Sequence, residues 1–511
     1  MHQAGITPAC YIHGYHNISY CCSSLHTRIL ASYPGIYRNN SATYFQYLLT
    51  YDSVIINSHA ILPSGMLDRN IVIDDGRIVS FTTDVPQCDA IIDGAGMVAI
   101  PGVIDPHVHY GVYSPIDEAA RSESRAAALG GVTTMVRMLR HGSSYRESLQ
   151  SHLEASASNH YIDYTLHASI FDHAQVEEME YIRQQGIASF KIYMNLGSDV
   201  GHVYMDMLPG SSGLWEAHVE LDDHLIEEIV KKAAGLGSVV CVHAEDYEMC
   251  SCGIRQAREE SRDGLAAWSS SRPPSSEALS IKKVSALARR YGCTLYFVHI
   301  GSRSALEQIR VERAAGTRIF VETCPHYLFL SHEEQDGYLA KVMPPIRSRD
   351  DTGAVWQALC NGEIDTIGTD HVANSLGLKL GGNDVWDALA GFPGIGTSLP
   401  LLLSEGVRRG RIDLDRLVKI CSLNAARIFS MYPKKGTLEV GSDADIVLLD
   451  LDMEAKVSSE LFGGFSDYSV YDNWSLKGWP QKTMVRGGIV ADAFDVIQSP
   501  GWGRMVRRPV S

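Results

Sequence analysis

The middle of the chain, residues 99–430, alternates short apolar stretches with segments of helical periodicity, and this alternation limits the possible folds more than any other feature. The strand-like stretches are 97–101 (leading to His107), 133–138, 164–170, 189–194, 239–243, 294–299, 318–322 and 364–369. Between several of them the apolar residues recur every three to four positions, as Leu221, Leu225, Ile229 and Ala233 do. Further helices are predicted over 277–289 and 304–315, the latter closed by Gly316. Eight strands with intervening helices over about 330 residues fit an α/β fold of the (β/α)8 barrel type. An open doubly wound sheet is the competing arrangement, but no glycine-rich phosphate loop follows the first strand to favour it.

Two β-rich stretches flank this middle. Residues 53–57, 70–74 and 77–82 read as strands, with an Asp75-Gly76 turn; 445–450 and 483–490 read likewise. Chain ends commonly meet, so 51–98 plus 431–495 are expected to form one small β-sandwich domain beside a catalytic barrel over 99–430. Residues 1–50 are rich in His, Tyr, Cys, Ser and Asn and stand apart as an extension, with a short helix predicted over 44–49. Residues 496–511 read as a C-terminal tail.

A formal charge of -16 argues against a nucleic-acid surface, which needs clustered Lys and Arg. The longest apolar runs, such as 238–242 and 446–449, are far too short to span a bilayer, so no membrane partner is expected. Eleven scattered cysteines make no disulfide framework and, with no secretory signal in view, point to the cytoplasm.

Several metal-ligating residue types stand at the strand ends. Asp105-Pro-His107-Val-His109 follows the first strand, and residues i and i+2 of an extended segment face the same side, so both imidazoles can reach one metal. In a chain with 20 histidines such a pair alone is also compatible with two surface side chains. His243 and His299 close two successive strands and Asp370 follows the last; each has a plainer reading as a core, turn or cap residue. Lys191 lies in an otherwise apolar strand, where a bare ammonium is costly, and carbamylation by carbon dioxide would turn it into a two-oxygen bridge between metals. His371 is expected to point elsewhere. Zinc takes nitrogen and carboxylate oxygen ligands, and barrel active sites lie at the C-terminal ends of the strands, where these residues stand.

The order H-x-H, Lys, His, His, Asp on these strands resembles the amidohydrolase superfamily, and within it the cyclic amidohydrolases: dihydropyrimidinase (hydantoinase), allantoinase and dihydroorotase. Supporting segments are Gly130-Gly-Val-Thr-Thr134, Val321-Glu-Thr-Cys-Pro-His-Tyr-Leu328, Met343-Pro-Pro-Ile-Arg347, 362–371, Asn424-Ala-Ala-Arg-Ile-Phe429 and 436–445. The resemblance runs from about 51 to 491. It implies two divalent metal ions, zinc by type: one held by His107, His109 and Asp370, the other by His243 and His299, with a carbamate on Lys191 bridging them. It also implies attack by a metal-bridging hydroxide on a cyclic amide, imide or ureide, with Asp370 as proton carrier, and a homo-oligomer, dimer or tetramer.

The ring is less legible. Dihydroorotases carry Arg two residues after the second His, where this chain has Gly111. Hydantoinases carry Tyr five residues after the bridging Lys, where this chain has Leu196, and Ser-Gln where it has Pro325-His326. Substrate contacts are expected from Tyr193, Asn195, Thr323 and Met343. The loop 197–218 is a candidate lid, and 391–396 a candidate opposite wall. Allantoinase-type ureide hydrolysis is the alternative reading. A mononuclear deaminase is disfavoured by Lys191, and the inactive collapsin-response-type scaffold by the complete ligand set.

Overall fold

Parallel strands joined by helices become buried on both faces, and the middle of this chain obeys that rule. The structure is a computed structural model describing residues 50–197, 201–219 and 221–509, so the extension over 1–49, with its predicted helix, lies outside the described residues. The strands Val103–His109, Val132–Leu139, Asp163–Ser169, Ser189–Tyr193, Val239–His243, Thr294–Phe297 and Ile319–Thr323 pair in that order, all parallel. All residues of Val132–Leu139, Asp163–Ser169 and Ser189–Tyr193 are buried.

The eighth strand, expected as continuous over 364–369, is in fact two short pieces. Thr366–Ile367 pairs with Ile319–Thr323, and His371–Val372 pairs with Val103–His109, so the sheet curls. The break falls at Asp370, whose φ is 49° and cannot continue a strand.

The first strand also differs from its prediction. Val98–Pro101 belongs to another sheet, where it pairs with Ile446–Lys456 and His59–Leu62; Val103–His109 is the first parallel strand. The step between them is made at Gly102. A Cβ there would lie 2.0 Å from the Thr133 hydroxyl oxygen, so no side chain fits at that crossing.

Helices cover the parallel sheet. Asp223–Gly235 buries Leu225, Ile226, Ile229, Val230 and Ala233, close to the predicted face, and starts where Asp222 Oδ1 accepts the Leu225 N–H at 2.7 Å. Pro274–Tyr291 ends on Gly292 with φ 74°. Among the described residues no helix is long and apolar enough to cross a membrane.

The terminal stretches meet in two sheets. One joins Arg77–Thr82, Asn70–Asp74, Tyr51–Ile56 and Cys88–Asp93. The other joins His59–Leu62, Gly65–Leu67 and Val98–Pro101 with Ile446–Lys456, Ser475–Val485, Gly488–Asp492 and Asp495–Val496. Ile55, Ile71 and Ile73 of the first pack with Ile446, Leu448 and Met484 of the second. The stretch predicted as one strand over 483–490 is a hairpin, because Arg486 and Gly487 both have positive φ. Asp75 and Gly76 make the predicted turn, with φ 47° and 71°.

The segment read as a tail is instead packed against the parallel sheet. Val506 N–H donates to Tyr164 O at 2.7 Å, and Arg508 is buried, its Nη1 donating to Ser189 Oγ at 2.7 Å.

A buried ion cluster links the terminal sheets to the parallel one. Lys435 Nζ lies 2.5 Å from Asp163, 2.9 Å from Asp443 and 2.6 Å from Asp445, and Arg486 also binds Asp163. Three carboxylates this close could suggest a metal site, but Lys435 already occupies their centre. The variant Lys435→Met leaves those carboxylates with one shared cation fewer. It is expected to lower stability by about 3 kcal/mol, read as a shift of the denaturation midpoint; an unchanged midpoint would show the cluster to be energetically neutral.

Candidate metal centre

His107 and His109 point to the same side of the first parallel strand, as their spacing of two demands. Their Nε2 atoms are 3.2 Å apart, and each lies 3.2 Å from Asp370 Oδ1. Two imidazole nitrogens and a carboxylate oxygen with equal separations match the edge of about 3.3 Å expected for a tetrahedron with zinc-length bonds. These three side chains also form a group able to hold a metal ion.

The remaining predicted groups converge on the same place. The His243 and His299 rings are 4.5 Å apart and near-perpendicular, and the His107 and His299 rings are 5.4 Å apart. Lys191 is fully buried and its Nζ has no hydrogen-bond partner; His299 Nδ1 is likewise buried without a partner. Partnerless buried polar atoms call for an explanation, and unfilled coordination is one. The residues therefore fit a divalent metal site.

Charges behind the ring of histidines orient them. His107 Nδ1 donates to Glu322 Oε1 at 2.7 Å, which turns Nε2 toward the centre. The same oxygen accepts the His299 main-chain N–H at 3.0 Å, and Glu322 Oε2 accepts the Tyr296 hydroxyl at 2.7 Å. Gly368 makes room for this carboxylate: a Cβ there would stand 2.5 Å from Glu322 Oε2. On the other side, His243 Nε2 donates to Glu245 at 2.7 Å, and Arg272 holds that carboxylate through Nε and Nη2, leaving His243 Nδ1 for the centre. Asp105 ties the first strand to the eighth by accepting the N–H of His107 and both the N–H and hydroxyl of Thr369.

Two of the converging residues, His299 and Asp370, have left-handed backbones, with φ of 43° and 49°. Neither is glycine, so each stores on the order of 1 kcal/mol of strain, which the surrounding hydrogen bonds maintain.

Burial dominates the electrostatics. It holds the His107, His109 and His299 imidazoles well below their ordinary range, so they are neutral with a lone pair to offer. It brings the Lys191 ammonium down to about 8 and pushes the Glu322 and Asp105 carboxyls up to about 8 and 7.

A cavity of about 110 Å3 opens over these residues, a size suited to a small molecule rather than a polymer. Of the residues expected at the substrate, Tyr193, Asn195 and Met343 line it. Thr323 does not: it is fully buried and its hydroxyl donates to Ile300 O at 2.7 Å. Leu196 lines the cavity in place of a tyrosine, and Gly391 and Arg140 line it as well. His371 turns away, its Nε2 bonded to Glu123 at 2.7 Å.

The predicted lid loop contains a hairpin of Gly201–Met205 and Trp215–Val219, while residues 198–200 lie outside the described residues. The segment between its strands is fastened to the loops after the first two parallel strands, where Met207 N–H donates to Gly111 O and Asp206 N–H to Arg140 O.

Sequence reasoning gave no role to Glu322, Glu245, Arg272 or Arg140. Glu322 did carry a signal, a carboxylate at an inward position of an apolar strand. Arg272 and Arg140 carried none, because their partners lie on other segments.

The Amidohydrolase family model matches residues 98–490. The L-hydantoinase of Paenarthrobacter aurescens is 31% identical over 467 residues, covering 90% of this chain and 98% of that protein. The D-hydantoinase of Ralstonia pickettii is 30% identical over 471 residues, covering 89% and 99%. The solved L-hydantoinase (dihydropyrimidinase) from Arthrobacter aurescens superposes with a TM-score of 0.82 at 30% identity, covering 90% of this chain and 100% of that one.

Proposed function

The chain belongs to the amidohydrolase family, and on that premise we propose that it opens the ring of a small cyclic amide, imide or ureide with the help of two divalent metal ions, zinc by ligand type. The observation that carries this reading is the convergence of His107, His109, Lys191, His243, His299 and Asp370 on one cavity, with Lys191 Nζ buried and partnerless. His107, His109 and Asp370 would hold one ion and His243 and His299 the other, with Lys191, as its carbamate, bridging. The curled sheet is read as a (β/α)8 barrel closed through the two pieces of the eighth strand, and the terminal sheets as a β-sandwich.

When bound, such ions polarise the amide carbonyl and acidify water to a pKa of about 7. The chain's own residues supply the rest. Asp370 takes a proton on a carboxylate oxygen and releases it to the departing ring nitrogen. Asn195 Oδ1, buried and without a partner, accepts an N–H of the ring. The Tyr193 hydroxyl, only 3.5 Å from Ser169 Oγ, is weakly engaged and available to the carbonyl oxygen. The apolar wall of Leu196 and Met343 excludes water from the ring. Eight free cysteines among the described residues suit a reducing, cytoplasmic setting.

Elemental analysis of the purified protein is expected to find about two metals per chain; one or none would overturn the binuclear reading. Dihydrouracil, hydantoin, allantoin, succinimide and a simple lactam, assayed with zinc and bicarbonate, should include at least one ring that is opened. Hydrolysis of none would overturn the cyclic-amide reading.

A further inference from the structure

We infer that Arg140 selects a substrate whose ring bears an anionic substituent, a carboxylate in the simplest case. This deepens the cyclic-amide reading above and rests on it.

The position of Arg140 follows from strand geometry. In Val132–Leu139, Val136 and Met138 point into the sheet's concave interior, where they pack with Ile104, Cys241 and Tyr296. Arg140 continues the same alternation two residues further on, past the end of the strand. Its side chain therefore reaches the cavity that also holds the metal-ligating groups.

Its main chain is fixed while its side chain is uncommitted. Arg140 N–H donates to Asp206 Oδ2 at 3.3 Å, and Arg140 O accepts the Asp206 N–H at 2.9 Å. The guanidinium itself makes no hydrogen bond or ion pair among the described residues, and its Nε is buried with no partner. Asp206 attracts it but makes no close ion pair with it, and the same carboxylate is shared with Arg137, whose Nε is 3.8 Å away. The other support for Arg140 is the ring of Tyr193, whose centroid lies 5.7 Å away. Two other buried guanidinium groups, those of Arg272 and Arg347, differ from it. Each is paired with a carboxylate, Glu245 and Glu277 respectively.

A planar fork of donors left open in a small, largely apolar cavity matches the two oxygens of a carboxylate. A ring with a neutral substituent would cover the same donors without pairing them, which penalises binding. Because Arg140 lines the same cavity as the metal-ligating groups, a ring whose scissile amide meets those groups would carry its anionic substituent toward the guanidinium.

The test compares hydantoin-5-acetate with its near-isosteric amide, hydantoin-5-acetamide, in the metal-loaded enzyme. Wild type is expected to favour the acetate in kcat/KM by about 10- to 100-fold, mostly through KM, with the preference shrinking as ionic strength rises. Arg140→Gln should bring that ratio to about one or below, and Arg140→Lys should keep part of it, since lysine retains the charge but not the fork. Equal use of the two rings by wild type, or an equal loss on both rings in Arg140→Gln, would overturn the assignment. If wild type opens neither ring, the hydrolase reading is called into question, and calorimetric titration of the same two compounds decides this one separately. Tighter binding of the acetate by wild type than by Arg140→Gln supports it, and equal binding refutes it.

Discussion

Lys191→Ala is expected to lower turnover by about a thousand-fold or more, roughly 4 kcal/mol of transition-state stabilisation, with loss of bound metal. The side chain is fully buried on the strand Ser189–Tyr193, and its nitrogen has no partner. A bare ammonium in that position is expensive, whereas a carbamate would be satisfied by two cations. Burial brings the amine down to about 8, so near neutral pH a useful fraction is uncharged and able to add to carbon dioxide. Alanine leaves a void of the right shape for a small acid. Acetate or propionate should therefore restore part of the activity. The same substitution should change the melting temperature of metal-free protein little, because removing an unpaired buried charge offsets the void that alanine leaves. Full activity in Lys191→Ala would refute a bridging carbamate, and a large fall in metal-free stability would refute the view of Lys191 as an unsatisfied group.

Asp370→Asn is expected to lose about 10²- to 10⁴-fold in turnover while keeping much of its metal. Asparagine preserves an oxygen for coordination but cannot accept the proton. It is also the cleanest substitution for the backbone. Asp370 has φ 49°, a conformation that asparagine adopts more readily than most residues. The clamp from Asp105 to Thr369 next door is untouched by it. Metal analysis and turnover on the same preparation check the result. Wild-type rates in Asp370→Asn would remove Asp370 as the proton carrier; complete loss of metal would leave it as a ligand alone.

These expectations depend on features that the sequence carried to very different degrees. The alternation of strands and helices, and the i, i+2 spacing of His107 and His109, were legible because both reflect local geometry: a strand repeats every two residues and a helix every 3.6. The place of His243 at the end of its strand was legible for the same reason, whereas His299 and Asp370 lie just past their strands on left-handed backbone that no strand period foretells. The family motifs then supplied the ligand set proposed above, and the Amidohydrolase match and the hydantoinase relatives agree with the cyclic-amide chemistry they implied.

What local pattern could not carry was partnership across the chain. Glu322 serves His107 from 215 positions away, and Arg508 reaches Ser189 from 319 positions away. Thr323 was expected at the substrate, yet its hydroxyl is engaged by Ile300 on the neighbouring segment. The first parallel strand was mistaken for Val98–Pro101 because both are apolar. They pair in different sheets, with Gly102 between them where Thr133 leaves no room for a side chain. Arg140 looked like any loop arginine until the curl of the sheet turned the cavity toward it and left its guanidinium without an ion pair among the described residues. Periodicity is written in the spacing of neighbours and so survives in one dimension, whereas the pairing or isolation of a charge is settled by residues that meet only when the chain folds.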